Sequence, residues 1–307
     1  MSIRKMLIVC LLLAAALWLA TGTAAAPAAD SDAPGSVVTQ KEKGLVDWTR
    51  NYVEATGMAV APRNMRGAQA KALARRGAMA DLQRNLLEFL AGVQVDARTV
   101  MDDFMANDTV RTEIHGIVKN VETLEGTWDG EAYTVKGRIR MGQLRTVIAP
   151  SIPAAPEVYP EVGATPDVTI RVEPEPAPKP QPTQSKPQPK KEPQPKKSRY
   201  TGLVLDVRHL PYTPALSFQV YDEGGKAVYG MSFVNPKDYE QSGLCAYYSN
   251  IEYAKVEAHI APNPIVAKGV MVGGGGVDII ISNADAAKVR DSSYDFRREC
   301  KVILVSR

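Results

Sequence analysis

The chain has 307 residues, of which 45% are hydrophobic and 23% charged, so it can bury a sizeable core and has room for two ordinary domains. Its formal net charge of +3 is too small to indicate a nucleic-acid-binding protein, which needs a clustered basic face. The 22 prolines are unevenly distributed, and their main cluster divides the chain.

The N-terminus has the pattern of a secretory signal peptide. Arg4 and Lys5 precede an apolar run, residues 6–20, and small residues follow it. The apolar run is shorter than the roughly 20 residues that a membrane-spanning helix needs. We therefore expect residues 1–28 to be a signal peptide that is cleaved after Ala25 or Ala28. The mature protein would then lie in the periplasm or against the outer membrane.

Three cysteines bear on lipidation and redox chemistry. Cys10 superficially resembles a lipidation site, but Val9 stands where a small residue is needed and most of the apolar run follows the cysteine. Lipidation is therefore not expected. Cys245 and Cys300 remain in the mature chain, where they could form a disulfide in an oxidising compartment or stay as two buried thiols. The sequence has no CxxC motif and no Cys/His cluster, so it predicts no metal site.

Residues 45–148 predict a first domain with one long helix between strands. The run "NYVEATGMAVA" alternates like a strand and ends near Pro62. Helical spacing from Arg66 to Leu90 then predicts one apolar stripe, made of Ala68, Ala72, Met79, Leu82, Leu86 and Leu90. Gly92 is placed to end this helix. The runs "RTEIHGIVKNVETLEGTW" and "EAYTVKGRIRM" predict two strands that turn at Asp129-Gly130. We expect the helix to pack on an antiparallel sheet.

The same stretch resembles a bacterial family. "AQAKALARRGAMADLQRNLLEFLAGVQVDARTV", followed by "GIVKNVETLEGTWDGEAYTVKGRIRM", resembles the domain of LPP-twenty-like envelope lipoproteins and the N-terminal domain of flagellar assembly protein T. The shared pattern is an Ala-rich helix, a turn and two strands, matched here by Gly92, Val93, Val95, Gly116, Val118, Val121, Tyr133, Val135 and Ile139. The resemblance covers about residues 50–142. It implies a non-catalytic envelope module, sometimes associated with the flagellar basal body.

A proline- and lysine-rich linker, residues 149–199, follows this domain. It contains "EPEPAPKPQPTQSKPQPKKEPQPKK" and has almost no aliphatic residues after Val172. Such a composition cannot bury enough apolar surface to fold and favours an extended chain. The linker is therefore predicted to be disordered. It would serve either as a solubilising spacer or as a basic arm that crosses or grips the peptidoglycan layer.

Residues 200–307 predict a second domain of mixed α+β type. "TGLVLDVRH" indicates a strand, "ALSFQVYDEGGKAVYG" a hairpin, and "PKDYEQSG" a short helix with Pro236 in its first turn. "NPIVAKGVMV" and "VDIIIS" indicate two strands, "SNADAAKVRDSS" a helix, and "CKVILVS" a closing strand. This segment resembles the C-terminal part of uncharacterised exported proteins, a resemblance that implies no chemistry. The expected fold is therefore α+β in both domains.

Four consecutive glycines, Gly273–Gly276, invite comparison with a phosphate-binding loop. A nucleotide loop joins a strand directly to a helix, but here a β-type run separates the glycines from the helix. Asp285 would also place a carboxylate in the first turn of that helix and repel phosphate. We therefore predict no nucleotide site and interpret the glycines as a hairpin tip. Replacement of Gly274 and Gly275 by Ala-Ser is expected to leave folding nearly intact unless the tip is a contact surface.

No other residues form a recognisable catalytic, cofactor-binding or metal-binding pattern, and we expect no enzyme. His115, His209 and His259 are isolated in sequence, and the adjacent Asp102 and Asp103 are typical of a solvated turn. A group of tyrosines, Tyr247, Tyr248 and Tyr253 with Tyr239, could contact a glycan or protein partner, although such a group more often consists of core or half-buried tyrosines.

The sequence therefore favours a non-catalytic exported protein that assembles or anchors a cell-envelope structure, with the flagellar basal body as the specific hypothesis. Its partners would be envelope proteins, without nucleic acid or nucleotide. An alternative is a module that binds peptidoglycan or another envelope polymer, through the linker and the second domain. A further alternative is a TonB-like arm, which would require an uncleaved N-terminal anchor.

Overall fold

The structure is a computed structural model, and it describes residues 35–153 and 198–307. We call these two ranges the N-terminal half and the C-terminal half. The predicted signal peptide and most of the predicted linker lie outside the described residues. No helix within the two described ranges is long and apolar enough to cross a membrane.

The N-terminal half contains one five-stranded sheet and four helices. The strands are β1 (Val38–Lys41), β2 (Gly44–Asp47), β3 (Tyr52–Val60), β4 (Glu122–Trp128) and β5 (Ala132–Arg140). The helices are α1 (Gly67–Ala91), α2 (Met101–Met105), α3 (Asp108–Lys119) and α4 (Met141–Ile148). The sheet order is β1-β2-β3-β5-β4, and each neighbouring pair is antiparallel. A helix on an antiparallel sheet, as predicted, is confirmed.

Helix α1 packs on the sheet through residues four positions apart: Ala70, Ala74, Ala78, Leu82, Leu86 and Leu90. The small side chains allow close approach to β3, where a Cβ on Gly57 would lie 2.2 Å from the backbone nitrogen of Leu82. The predicted stripe is right for the three leucines and wrong for Ala68 and Ala72, which are exposed, while Met79 is only half-buried. The composition is alanine-rich on all sides, so spacing alone could not choose between two alanine rows. Helix α1 ends before Gly92, as predicted.

Helix α3 includes residues 111–119, which are predicted to begin a strand. Val110, Ile114 and Val118 are buried at four-residue spacing, and Asn107 caps the helix by accepting from the backbone nitrogen of Thr109 at 2.9 Å. The strand predicted over 111–128 is therefore wrong before β4 begins. Gly116 and Val118, which match the strand of the resembled family, lie in this helix. The turn at Asp129-Gly130 is confirmed, and Gly130 has a φ of 108°.

The C-terminal half contains one seven-stranded mixed sheet. The strands are β6 (Gly202–Asp206), β7 (Val220–Asp222), β8 (Ala227–Tyr229), β9 (Ala246–Tyr248), β10 (Pro264–Gly273), β11 (Asp278–Ile281) and β12 (Val302–Val305). The α-helices of this half are α5 (Pro236–Ser242), α6 (Ile251–Val256) and α7 (Asn283–Arg290). The order is β8-β7-β11-β10-β6-β12-β9. Strand β6 is parallel to β10 and β12, whereas β10–β11 and β7–β8 are antiparallel hairpins. The predicted α+β class and the predicted elements are confirmed; the short β9 and α6 were not predicted.

Buried residues of the two halves form one continuous hydrophobic cluster. It includes Trp48 and Leu144 from the N-terminal half and Phe218 and Tyr239 from the C-terminal half. The two described halves accordingly belong to one compact unit. The two halves are therefore packed together, with α4 against α5, and we call the contacts between them the junction.

Candidate functional site at the junction of the two halves

Arg145 is the central polar residue of the junction. It lies on α4, and only 3% of it is exposed. Its Nη1 donates to Asn51 Oδ1 at 3.0 Å, its Nη2 to the Gln241 carbonyl at 3.0 Å and its Nε to the Glu240 carbonyl at 3.3 Å. Burial lowers the pKa of Arg145. Among the described residues no carboxylate pairs with it, so backbone and amide oxygens from both halves solvate the charge.

Two unusual backbone conformations make room for the Arg145 guanidinium. Asn51 has a φ of 59°, the left-handed region that asparagine tolerates better than most residues. Gly243 ends α5 with a φ of 77°, and a Cβ there would lie 3.2 Å from Arg145 Nη1. A side chain at residue 243 would therefore be strained and would press on the guanidinium. The backbone at Asn51 and Gly243 therefore leaves space for the Arg145 guanidinium between the two halves.

Tyr247 is the aromatic part of the junction. Its ring packs against Trp48 of the N-terminal half, with ring centroids 5.5 Å apart. Its hydroxyl donates to the Ala215 carbonyl at 2.9 Å and lies 3.1 Å from the Tyr212 hydroxyl. Burial raises the pKa of Tyr247. Of the two alternatives given for the tyrosines, the buried core residue therefore describes Tyr247, whose contacts lie inside the protein.

The remaining predicted tyrosines separate into a core residue and a surface pair. Tyr239 is fully buried, whereas Tyr248 and Tyr253 are half-buried and meet edge to face at 5.4 Å. Burial, with the nearby Glu257, raises the pKa of Tyr248 to about 12. A hydrogen bond to Glu257 raises the pKa of Tyr253. A role for Tyr248 and Tyr253 in binding stays a prediction.

Both cysteines of the C-terminal half are free thiols and both are buried. Of the two alternatives that the sequence left open, the structure has two buried thiols. Burial raises the pKa of Cys300 to about 11 and raises that of Cys245 still further. The nucleophilic form of cysteine is the thiolate, so neither residue is poised for nucleophilic chemistry at neutral pH.

The glycine-rich tip is the third contact between the halves. The hairpin interpretation is confirmed, since β10 and β11 pair antiparallel on either side of the glycines. Gly274 has a φ of 53°, and a Cβ there would lie 2.5 Å from Ala97 Cβ of the N-terminal half. A Cβ on Gly276 would lie 2.9 Å from the Pro211 carbonyl. The exception stated for the Ala-Ser replacement at Gly274 and Gly275 therefore applies, because this tip is a contact surface.

Asp278 follows the tip and was missed by sequence reasoning. Only 6% of it is exposed, and its Oδ1 accepts from the Gln219 backbone nitrogen at 2.9 Å. Burial raises the pKa of Asp278 to about 6. The negative charge of Asp96 also raises this pKa, whereas the hydrogen bond from Gln219 lowers it. The signal available in the sequence was an acid inside the apolar run "VDIIIS". An Asp in that position had to be buried if the strand was central.

The segments around Asp278 also carry unpaired buried oxygens. Within the described ranges, Thr99 Oγ1, Ser217 Oγ and Gln219 Oε1 have no hydrogen-bond partner. Their backbone is nevertheless joined across the halves, because the Ser217 nitrogen donates to the Val95 carbonyl at 2.6 Å. Such oxygens in a buried interface weaken it relative to a fully paired one.

The junction leaves little room for a small molecule. A cavity of about 10 Å³ lies between Trp48, Arg145, Phe218 and Tyr247, enough for at most one water. Elsewhere in the described halves, no group of three or more His, Cys, Asp or Glu side chains could hold a metal ion. The junction is thus a set of buried hydrogen bonds and aromatic contacts that join the two halves.

The other residues considered from the sequence are dispersed. His115 is exposed on α3, and His209 Nε2 lies 2.9 Å from the Gly269 carbonyl. His259 Nδ1 lies 3.8 Å from Glu257 Oε1, and burial lowers the pKa of His259. Asp103 accepts from the backbone nitrogen of Val100 at the start of α2. The structure brings none of the three histidines together.

Comparison with known sequences identifies one similarity. Residues 202–307 match the model for the second domain of Treponema pallidum Tp0624. The match begins at the first residue of β6 and runs to the C-terminus, so it covers the whole sheet of the C-terminal half. No curated protein matches the chain significantly. The C-terminal half is thus similar to one domain of that Treponema pallidum protein.

Proposed function

We propose that this chain is an exported, non-catalytic protein that assembles or anchors a structure of the bacterial cell envelope, and that the flagellar basal body is the specific candidate. The secretory pattern of residues 1–28 and the family resemblance of residues 50–142 support export and an envelope role. The match of residues 202–307 to the second domain of Treponema pallidum Tp0624 is compatible with this role and adds no chemistry.

The observation that carries the proposal is that buried polar side chains at the junction bind the two halves to each other. Arg145 binds one amide oxygen of its own half and two carbonyls of the other half, and Tyr247 binds Trp48 and the Ala215 carbonyl. These groups hold two sheets in one fixed arrangement. A protein that positions other components needs such rigidity, since flexible modules lose binding free energy on ordering.

A gene deletion with complementation in the source organism tests the proposal. We expect the deletion strain to lose swimming and to have incomplete basal bodies, and the wild-type gene to restore both. Normal swimming with intact basal bodies would reject the flagellar assignment. Recovery of the protein in the cytoplasmic fraction, with residues 1–28 intact, would reject export.

A matched pair of variants connects the test to the junction. Arg145→Met removes the three hydrogen bonds across and within the junction, whereas Arg111→Met removes an exposed residue of similar size on α3. At equal protein levels, we expect the Arg111 variant to restore function and the Arg145 variant to fail. Equal restoration by both would mean that the fixed arrangement of the sheets is not needed.

A second candidate function is binding to peptidoglycan through the lysines between the halves. It is favoured by the charge of residues 179–197, which contain six lysines and one acid, Glu192. The lysines are Lys179, Lys186, Lys190, Lys191, Lys196 and Lys197. The test is co-sedimentation of the full mature chain with purified sacculi, compared with a variant in which the six lysines are glutamine. Unchanged retention of that variant would reject binding through the lysines.

A further inference from the structure

A groove runs between helix α1 and the edge strand β4. Strand β4 pairs only with β5 among the described strands, and residues 122–127 of it are exposed. Arg75 and Met79 of α1 form one wall of the groove, Leu124 of β4 forms the other, and Tyr133 and Val135 of β5 lie at its floor. Leu124 is 37% exposed. The groove thus offers apolar side chains beside an unpaired strand edge.

The surface of α1 beside this groove is basic, whereas the exposed Glu125 lies on the β4 side. Arg75 and Arg76 lie one turn from Met79, and Lys71 lies one turn further toward the start of α1. All three are exposed, and none forms an ion pair within the described halves, whereas Arg84 on the same helix pairs with Asp81. These three cations outnumber the one carboxylate of the groove, Glu125, and so favour an acidic occupant with apolar side chains.

The chain itself supplies such a sequence. Between Pro153 and Ser198, the run "PDVTIRVEPEP" is the stretch in which aliphatic residues alternate at two-residue spacing: Val168, Ile170 and Val172. Acids flank this run, with Asp167 before it and Glu173 and Glu175 after it. Residues at two-residue spacing can all contact one surface when a chain lies extended.

We propose that residues 167–175 of this chain dock in the groove between α1 and β4. Val168, Ile170 and Val172 cover Met79 and Leu124, and the acids that follow them face Arg75 and Arg76. Burial of exposed apolar side chains drives the contact, and the charges fix its position. The contact makes the acidic start of the inter-half segment an internal ligand and leaves its six lysines free for an outside partner.

The length of the chain permits this contact. Fourteen residues separate Pro153 from Val168, which at roughly 3.1 Å per residue span up to about 43 Å. A compact unit of the size of the two described halves has a radius of gyration of about 17 Å, so this reach is about its full width. Docking within one chain therefore needs no second copy.

Cysteine cross-linking in the full chain tests the proposal. In a Cys10→Ser background, Leu124→Cys is combined with Ile170→Cys, and disulfide formation under mild oxidation is followed on non-reducing gels and mapped by mass spectrometry. Two controls have a similar reach: Met58→Cys with Ile170→Cys, and Leu124→Cys with Thr165→Cys, whose tether to Pro153 is five residues shorter. Met58 is 58% exposed and lies on the sheet face opposite α1, since its neighbour Gly57 contacts that helix.

We expect the Leu124–Ile170 pair to cross-link within one chain at least several-fold faster than either control. Charge reversal by Arg75→Glu with Arg76→Glu should slow it several-fold, and the added Glu173→Arg with Glu175→Arg should restore the rate. Equal rates in all three pairs, or cross-links found only between two chains, would overturn the proposal. Circular dichroism and thermal melts of each reduced variant verify that the fold is retained.

Discussion

Substitution of Asp278 by asparagine should stabilise the protein at neutral pH and leave it unchanged at pH 4. Asparagine keeps the acceptor for the Gln219 backbone nitrogen and removes the charge that burial disfavours. The pKa of Asp278 rises from 3.8 to about 6 in the folded protein. At 1.36 kcal/mol per unit, that shift corresponds to at most about 3 kcal/mol, and we expect about 1–3 kcal/mol after structural relaxation.

The sign follows from proton binding. Because the folded pKa is raised, the folded wild type binds more protons than the unfolded chain between about pH 4 and pH 6, and its free energy of unfolding falls as the pH rises through that window. Above about pH 6 the loss is complete. The asparagine variant lacks this loss, so the difference between the two proteins should grow from near zero at pH 4 to its full value at pH 7.5.

Urea unfolding of both proteins at a series of pH values measures this difference. Other titrating groups contribute equally to both proteins and cancel in the comparison. Asp102→Asn is the control, because Asp102 is exposed and its change should stay within about 0.5 kcal/mol at each pH. A difference that does not depend on pH, or a less stable asparagine variant at pH 7.5, would refute an acid held in a desolvated junction.

Three further substitutions test the packing. Gly274→Ala should lower the free energy of unfolding by about 1–3 kcal/mol more than Gly67→Ala. Both glycines have a φ near 60°, but only Gly274 lies against another residue. Equal losses in chemical denaturation would contradict the contact at the tip. Arg145→Met should cost about 3–5 kcal/mol and Arg111→Met almost nothing, measured by the same unfolding curves. Gly57→Ala should abolish folding or cost several kcal/mol, since the new Cβ overlaps the backbone of α1; a native thermal midpoint would show that the helix can move away.

Local patterns in the sequence predicted much of the fold. The turn predicted at Asp129-Gly130 depends on neighbouring residues and is confirmed. The cap of α7 is equally local, because the Ser282 side chain accepts from the Asp285 backbone nitrogen. The helix α3 was mistaken for a strand because its short apolar run also alternates, and only packing against α1 decides between the two periods. Local signals were therefore sufficient where the chain folds on itself.

The junction could not be predicted in this way. Arg145 meets partners 94 to 96 residues away along the chain, and nothing in the residues around it distinguishes it from an exposed helix arginine. Tyr247 was noticed as part of an aromatic group, but its burial depends on Trp48, a residue of the other half. Gly274 looked replaceable because the residue that it touches, Ala97, lies far away in sequence.

The shared core has a consequence for how the chain tolerates changes between its halves. The 44 residues from 154 to 197 close a loop between two parts of one folded unit. The entropic cost of closing such a loop grows only logarithmically, by about 0.6 kcal/mol for each doubling of its length. Insertions or deletions in that stretch outside residues 167–175 should therefore cost little stability. Cutting it, by contrast, would turn an intramolecular association into one that depends on protein concentration.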